Sequence, residues 1–327
     1  VTTLRFGLAG LGTQSAADTP AAYQRETRLM LRLAAVAEKS GFDSVWTTEH
    51  HVASDGYLPS PLVALAAIAT GTERVRLGTN VALAPLYQPI RLAEDAAVLD
   101  QISGGRLVLG LGLGYRVEEF AALGVEHDRR LALLRTAVRV LRTAWSGAPV
   151  PVSESLALPV RPLPLRPGGP PIWLGGWVEA AVRRAARLGD GYIAPVGTPA
   201  DIARRLSWLG RTTAGAAFPV AVSVNAFVGE WSRAADGVDR MLSQYQRWYG
   251  AAGLARIATA TADPPRHFVV GNPQQCIAQL RPLCDALTAA PGVEAHLLVR
   301  LAYPGLSEED SVASVVRFGT EVIPSLR

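Results

Sequence analysis

The chain has 327 residues, 49% hydrophobic and 18% charged, enough apolar material for one large barrel or two medium domains and too much for a disordered chain. The net charge is +4, from 32 basic and 28 acidic residues. The basic residues are mostly arginines spread along the sequence without aromatic interleaving, so no nucleic-acid partner is expected.

Leu4–Ala9 opens the chain as a short apolar run. Phe6 to Gly12 is too short and glycine-rich for a signal peptide or a membrane span. Tyr23–Lys39 has helical spacing and stops at Gly41. Phe42–Thr48 reads as a strand ending in Glu49-His50-His51. Ser60-Pro61 opens a helix that runs to Gly71. Val75–Leu83 is strand-like, and Pro89 opens a helix closed by Gly104-Gly105. Leu107–Leu113 is a fourth strand, and Arg129–Trp145 an amphipathic helix. Proline at 149, 151, 159, 162, 164 and 167 makes 147–170 an extended excursion. Strands then recur at Ile172–Leu174, Tyr192–Ala194, Val220–Val228 and Ala295–Leu301. Between and after them lie helices at Val178–Leu188, Asp201–Arg211 and Val238–Tyr249, a helix capped by Asn272-Pro273-Gln274-Gln275, and a last one at Glu308–Val322. Residues 251–270 form a second irregular stretch.

Eight strands alternating with helices predict a parallel sheet. The α/β fold expected is a (β/α)8 TIM barrel in one domain, 1–327, with insertions near 147–170 and 251–270 at the C-terminal mouth. A doubly wound open sheet is the alternative.

Lys39 is the only lysine, and it lacks the glycine pattern of a phosphate loop. It closes a helix, which leaves no pocket lysine for Schiff-base chemistry. Cys276 and Cys284 stand eight apart on one predicted helix, too far to bridge, and no metal-ligand spacing is present. A reduced, cytoplasmic setting fits, with no membrane segment.

Five residues are histidine, and two stand side by side where a strand ends. Loops at strand ends carry the chemistry of αβ barrels, so His50 and Glu49 are candidate site residues. Leu109-Gly110-Leu111-Gly112-Leu113-Gly114 alternates with period two, placing glycines on one face of a strand. Bare backbone there suits either close approach of a flat ligand, above all at Gly112 and Gly114, or small residues for barrel packing. The spacing does not fit a dinucleotide fingerprint. Gly175-Gly176-Trp177-Val178 joins a strand to a helix start, where free amides attract phosphate. Asn80 offers a donor and an acceptor to a polar ring edge. Glu94-Asp95 points two ways on its helix and reads as structural, pairing with Arg106.

Several segments together resemble the bacterial luciferase-like monooxygenase family. They are Trp46-Thr47-Thr48-Glu49-His50-His51, Leu77-Gly78-Thr79-Asn80-Val81 through Pro89 to Asp95, and Leu99 to Arg106 with the glycine strand. Glu118-Glu119-Phe120 through Gly124, Trp173-Leu174-Gly175-Gly176 and Gly271 to Gln275 continue the likeness. The resemblance implies a barrel that binds reduced FMN, or the deazaflavin F420, at its C-terminal mouth. It implies that His50 faces the isoalloxazine and that Asn80-Val81 is a non-proline cis peptide. Two departures stand out. Leu113 occupies the place of a phosphate-holding arginine, and Val178 that of a hydroxyl. The phosphate grip is therefore expected from the amides of Gly176, Trp177 and Val178, or from an arginine such as Arg116.

The function expected is a two-component monooxygenase. A flavin reductase supplies reduced FMN, which lies on the Gly112–Gly114 face and reacts with O2 to oxidise a small apolar substrate. His50 positions or protonates, and Glu49 orients a neighbouring ring. The alternatives are an F420-dependent hydride-transfer enzyme on the same scaffold, whose relatives more often carry Asp-His at the position of Glu49-His50, and a non-catalytic flavin-binding protein. A homodimer is expected from family habit.

Overall fold

The computed structural model describes residues 4–210, 217–252 and 268–327. Its strands in chain order are β1 (Arg5–Leu11), β2 (Ser44–Thr47), β3 (Arg76–Thr79), β4 (Ala82–Leu83), β5 (Leu107–Gly112), β6 (Val150–Pro151), β7 (Ala157–Leu158), β8 (Ile172–Gly175), β9 (Gly191–Ala194), β10 (Phe218–Val228), β11 (Phe268–Gly271) and β12 (Val293–Arg300). The helices are α1 (Pro20–Lys39), α2 (Pro61–Thr70), α3 (Pro89–Ser103), α4 (Val117–Ala122), α5 (Arg130–Trp145), α6 (Glu179–Leu188), α7 (Pro199–Leu209), α8 (Trp231–Ala251), α9 (Pro273–Thr288), α10 (Glu308–Arg317) and α11 (Ile323–Leu326).

Strands β1, β2, β3, β5, β8, β9, β10 and β12 follow one another in a ring, all parallel, and the pairing of β9 with β10 closes it. The fold is a (β/α)8 barrel and not an open sheet. Two short strands extend it: β4 pairs with the end of β5, and β11 with the end of β10.

Alternation along each strand builds two cores. Leu107, Leu109 and Leu111 of β5 pack outward under the helices, whereas Val108 faces the barrel axis with Trp46, Trp173, Ile193 and Leu298. The Trp46 and Trp173 rings lie 5.3 Å apart and fill the middle of the barrel. Glycine next to them is a consequence of their bulk. A Cβ on Gly78 would come within 2.1 Å of Trp46, and one on Gly191 within 2.6 Å of Trp173. The helix starts follow the sequence. Thr19 accepts from the Ala22 amide ahead of α1, and Asn272 with Gln275 forms a full capping box ahead of α9.

The excursion at 147–170 does not lie over the mouth. The Leu165 and Arg166 amides donate to the Asp100 carboxylate at the end of α3, and Arg166 donates to the Gly105 carbonyl just before β5 begins. These contacts place 163–166 at the N-terminal end of the barrel, as the topology requires of a segment running from a helix into a strand. Of the second expected insertion, 253–267 lies outside the described residues, and 268–271 is β11. Among the described residues, helix α8 lies at the mouth, with Trp248 against His50 and Tyr245 against Tyr57, and it begins at Trp231, ahead of the expected Val238.

Arg106 does not pair with Glu94 or Asp95. It donates to the carbonyls of Ser103, Val75, Ala69 and Thr72, while Asp95 pairs with Arg91 at 3.0 Å. Cys276 and Cys284 are free and buried, and burial pushes their thiols up to about 11 and about 12. No helix among the described residues is long and apolar enough to cross a membrane.

One buried cation works against the fold. Arg184 on α6 is 7% exposed, its Nε has no partner, and Arg135 and Arg187 are close enough to disfavour its charge further. Arg184→Met keeps the packed stem and removes the charge. It is expected to raise the melting temperature by about 1–3 °C at low salt, with the gain shrinking as salt screens the cluster. A lower melting temperature in low salt would count against this account.

Candidate functional site

Strand β2 delivers Glu49, His50 and His51 to the C-terminal mouth, and helix α4 brings Glu119 to meet them. Glu119 is fully buried. Its Oε1 accepts from His50 Nδ1 at 2.7 Å, from the His51 amide at 2.9 Å and from Arg116 Nη1 at 3.0 Å. Burial favours the neutral acid, but His50, the His51 amide and Arg116 together outweigh it and hold the carboxyl below its ordinary value. The pair is therefore an ionised carboxylate holding the Nδ1 proton of His50, which leaves Nε2 for chemistry.

The ring beside Glu49 is that of His51. One carboxylate oxygen meets His51 Nε2 at 2.7 Å, and the other accepts from the Leu83 amide of β4 at 2.8 Å. Two carboxylates thus fix two adjacent histidines in separate directions. The hydrogen bond to Glu49, opposed by burial, raises His51 above its ordinary 6.5. A group raised on folding stabilises fully below its unfolded value and loses that contribution as pH rises through the folded value. Thermal unfolding from about pH 5 to 9 is expected to show this loss in the wild type and not in His51→Gln. Identical pH dependence of the two proteins would remove the argument.

His50 is not turned to solvent. Its ring is enclosed by Trp248 at 4.6 Å, Tyr57 at 4.7 Å, Tyr115 at 5.6 Å and Tyr245 at 6.3 Å, and the residue is 7% exposed. The Tyr57 and Tyr245 hydroxyls share a hydrogen bond of 2.7 Å, and Arg116 lies 4.2 Å over the Trp248 ring. Tyr245, Trp248 and Tyr249 belong to the C-terminal end of α8, which packs against the loops after β2, β5 and β8.

The bare glycine face expected on β5 is not bare. A Cβ on Gly112 would meet Val81 Cγ2 at 2.4 Å, and one on Gly175 would meet Val81 Cγ1 at 3.0 Å. Gly114, at φ +72°, would meet Phe120 at 2.9 Å, and Gly176 would meet Ala181 at 2.3 Å. These positions are small because neighbouring side chains use the room. The Asn80–Val81 peptide is cis, as the resemblance implies, and Val81 sits over the barrel-interior cluster, half-buried. Asn80 donates to Ser223 Oγ at 3.2 Å. Val81 beside Asn80 is half-buried at the top of the barrel interior, and Gly114, Gly175 and Gly176 are half-buried too.

Arg116 spends Nη1 on the His51 carbonyl at 2.8 Å as well as on Glu119, while its Nε is buried without a partner. Trp177 is half-buried against Tyr249, and Val178 caps α6 exposed, with no side-chain bond.

A barrel with a buried histidine–carboxylate pair at its C-terminal mouth has the architecture of a barrel enzyme. The sequence profile of the Luciferase-like monooxygenase family matches residues 4–289, and the chain belongs to that family. It is 33% identical over 150 residues to the oxygenase component of the flavin-dependent trigonelline monooxygenase of Acinetobacter baylyi, covering 44% of this chain and 42% of that one. It is 38% identical over 177 residues to the F420-dependent glucose-6-phosphate dehydrogenase of Kineococcus radiotolerans, covering 51% and 52%. The chain spans about half the length of the curated relatives it matches. The fold superposes on the monooxygenase RslO1 of Streptomyces bottropensis with a TM-score of 0.82 at 24% identity, over 99% of this chain and 100% of that one.

Named relatives are flavin- or F420-dependent, and both cofactors bring a flat ring with a phosphate-bearing side chain. A flavin ring needs an apolar shelf with a polar edge, and Val81 beside Asn80 supplies one. Its phosphate needs donors, and helix α6 starts with no side-chain cap on its first amides. The residues fit the group.

Proposed function

We propose that this protein is a flavin-dependent monooxygenase that takes reduced FMN from a separate flavin reductase and uses O2 to oxidise a small apolar organic molecule. The observation that carries the reading is the buried His50–Glu119 pair beneath an aromatic cover. Bound reduced flavin supplies the electrons for O2 activation. The chain supplies the rest. Val81 and Asn80 support the ring. Glu119 holds the Nδ1 proton, so Nε2 of His50 can accept a proton and return it, and the nearby carboxylate stabilises the charged imidazolium. Tyr57, Tyr245 and Trp248 keep water from the reacting atoms. Trp248 already touches His50, so a substrate ring reaches the histidine only when the end of α8 shifts.

The 38% identity to an F420-dependent dehydrogenase favours hydride transfer with F420 as the second reading. Anaerobic titration with reduced FMN and with reduced F420, followed by O2, separates them. Binding of reduced FMN and O2-dependent product formation support the first reading. Tight binding of F420 with turnover in the absence of O2 replaces it with the second.

A further inference from the structure

Arg300 is the last residue of β12, at the C-terminal end of the barrel. It is 8% exposed. Its Nε donates to the Ala302 carbonyl at 3.2 Å, and its Nη2 donates at 2.7 Å to Oε1 of Gln14, in the loop after β1. Its Nη1 meets no acceptor among the described residues and, unlike the unpartnered Nε of Arg116 or Arg184, is not sealed. A glycine makes room for the stem. Gly10 has φ +72°, and a Cβ there would come within 2.7 Å of Arg300 Cγ and Cδ.

Both acceptors of this guanidinium are neutral, so among the described residues it has no direct counter-ion. The carboxylate it is linked to, Asp55, stands one side chain away. Gln14 Nε2 donates to Asp55 Oδ2 at 2.7 Å, and Asp55 Oδ1 accepts from the Tyr57 amide at 3.2 Å. Glutamine at 14 is thus a neutral spacer between a cation and a carboxylate. The same bonds lead to the histidine. The Tyr57 ring packs on His50 at 4.7 Å, and its hydroxyl meets that of Tyr245 at 2.7 Å. Burial pushes the Tyr245 hydroxyl up and the charge of Arg300 opposes it, which places the cation near that ring. Arg300 and His50 stand at the two ends of one network that the flat faces of Tyr57 and Tyr245 run along.

We propose that Arg300, held by Gln14, binds a carboxylate of the substrate, and that the molecule presented to His50 is a small aromatic acid. The inference rests on the flavin reading above and narrows its apolar substrate to an aromatic body with one acidic group. A buried guanidinium among neutral partners carries an uncompensated charge, and a carboxylate supplies acceptor and charge together. Aromatic walls suit a flat ring.

The test is anaerobic calorimetry with benzoate and naphthoate, each against its neutral amide, on flavin-free protein and on protein loaded with reduced FMN. Wild type loaded with FMN is expected to bind the acid roughly 10- to 100-fold more tightly than its amide, the range of a charged hydrogen bond. Arg300→Gln is expected to bring that ratio within about threefold by weakening the acid and leaving the amide unchanged, and Arg300→Lys to restore part of it. Equal affinity for acid and amide in wild type, or a preference that survives Arg300→Gln, overturns the proposal and leaves the flavin reading standing. A preference that reduced FMN abolishes places the carboxylate at the cofactor's own anion site and overturns it too. Binding of neither acid nor amide overturns the aromatic class. Failure to load with reduced FMN or reduced F420 overturns the flavin reading, while the flavin-free titrations still decide whether Arg300 holds a carboxylate. The paired exchange Gln14→Glu with Asp55→Asn covers an Arg300 variant that does not fold. It keeps the same hydrogen bonds and brings the chain's own carboxylate onto Arg300, so the preference for the acid is expected to drop about tenfold, and an undiminished preference overturns the proposal.

Discussion

Alanine at position 50 is expected to lower product formation by roughly 100- to 10,000-fold while changing the affinity for reduced FMN by less than about threefold. The asymmetry follows from the geometry. His50 is anchored from behind by Glu119 at 2.7 Å, so its free Nε2 is directed by the fold and not by a ligand. Its ring packs against Tyr57, Tyr115, Tyr245 and Trp248, whereas the groups assigned to the cofactor ring are Val81 and Asn80. Proton handling at one nitrogen is therefore separable from binding. His50→Gln controls for the cavity that alanine leaves, because it keeps a polar side chain under Trp248 without an imidazole to take up a proton. The assay is product formation from a panel of small apolar compounds with reduced FMN and O2, alongside anaerobic titration of the same variants. Full activity in both variants would end the case for His50. A loss that appears wholly as weaker flavin binding would move the residue into the cofactor site.

The barrel was legible from the sequence because alternation of apolar strands with capped helices is a local signal. Asn272 with Gln275 and Pro61 after Ser60 each mark a helix start without reference to the rest of the chain. The histidine pair was legible for a related reason, since it follows the apolar run of β2 directly. What the sequence hid were relations between distant segments. Glu119 was visible only as one of two adjacent acids. Nothing local says that it faces inward, 69 positions from His50, while Glu118 faces solvent. The glycines of β5 misled for the same reason. A missing side chain records a close neighbour but not which one, and Val81 reaches it from the next strand of the ring. Tyr245, Trp248 and Tyr249 fall on one stretch of an amphipathic helix, where core packing and an active-site cover give the same pattern. Even the 147–170 excursion could have been placed by topology alone. A segment that runs from a helix into a strand meets the barrel at the end opposite the mouth.

Glu119→Gln is expected to cost about 3–5 kcal/mol of stability, because it removes one charge from a buried network and leaves Arg116 without its counter-ion. No other change to the site touches as many groups. One oxygen of Glu119 serves His50, the His51 amide and Arg116, so a neutral amide disturbs the histidine, the loop that carries it and the cation stacked on Trp248. The pH dependence carries the diagnosis. A carboxyl whose folded value is depressed contributes its stability above the unfolded value, about 4.3, and loses it as pH falls through the depressed folded value. Wild type and Glu119→Gln should therefore differ most near neutral pH and converge in acid, below about pH 4. Activity is expected to fall as well, since the His50 ring loses the carboxylate that accepts its Nδ1 proton and fixes its orientation. Urea unfolding at several pH values and a turnover assay measure the two effects separately. A variant as stable as wild type at pH 7 would show that Glu119 is not the anchor of this site. Unchanged turnover in a destabilised variant would confine it to holding the loop.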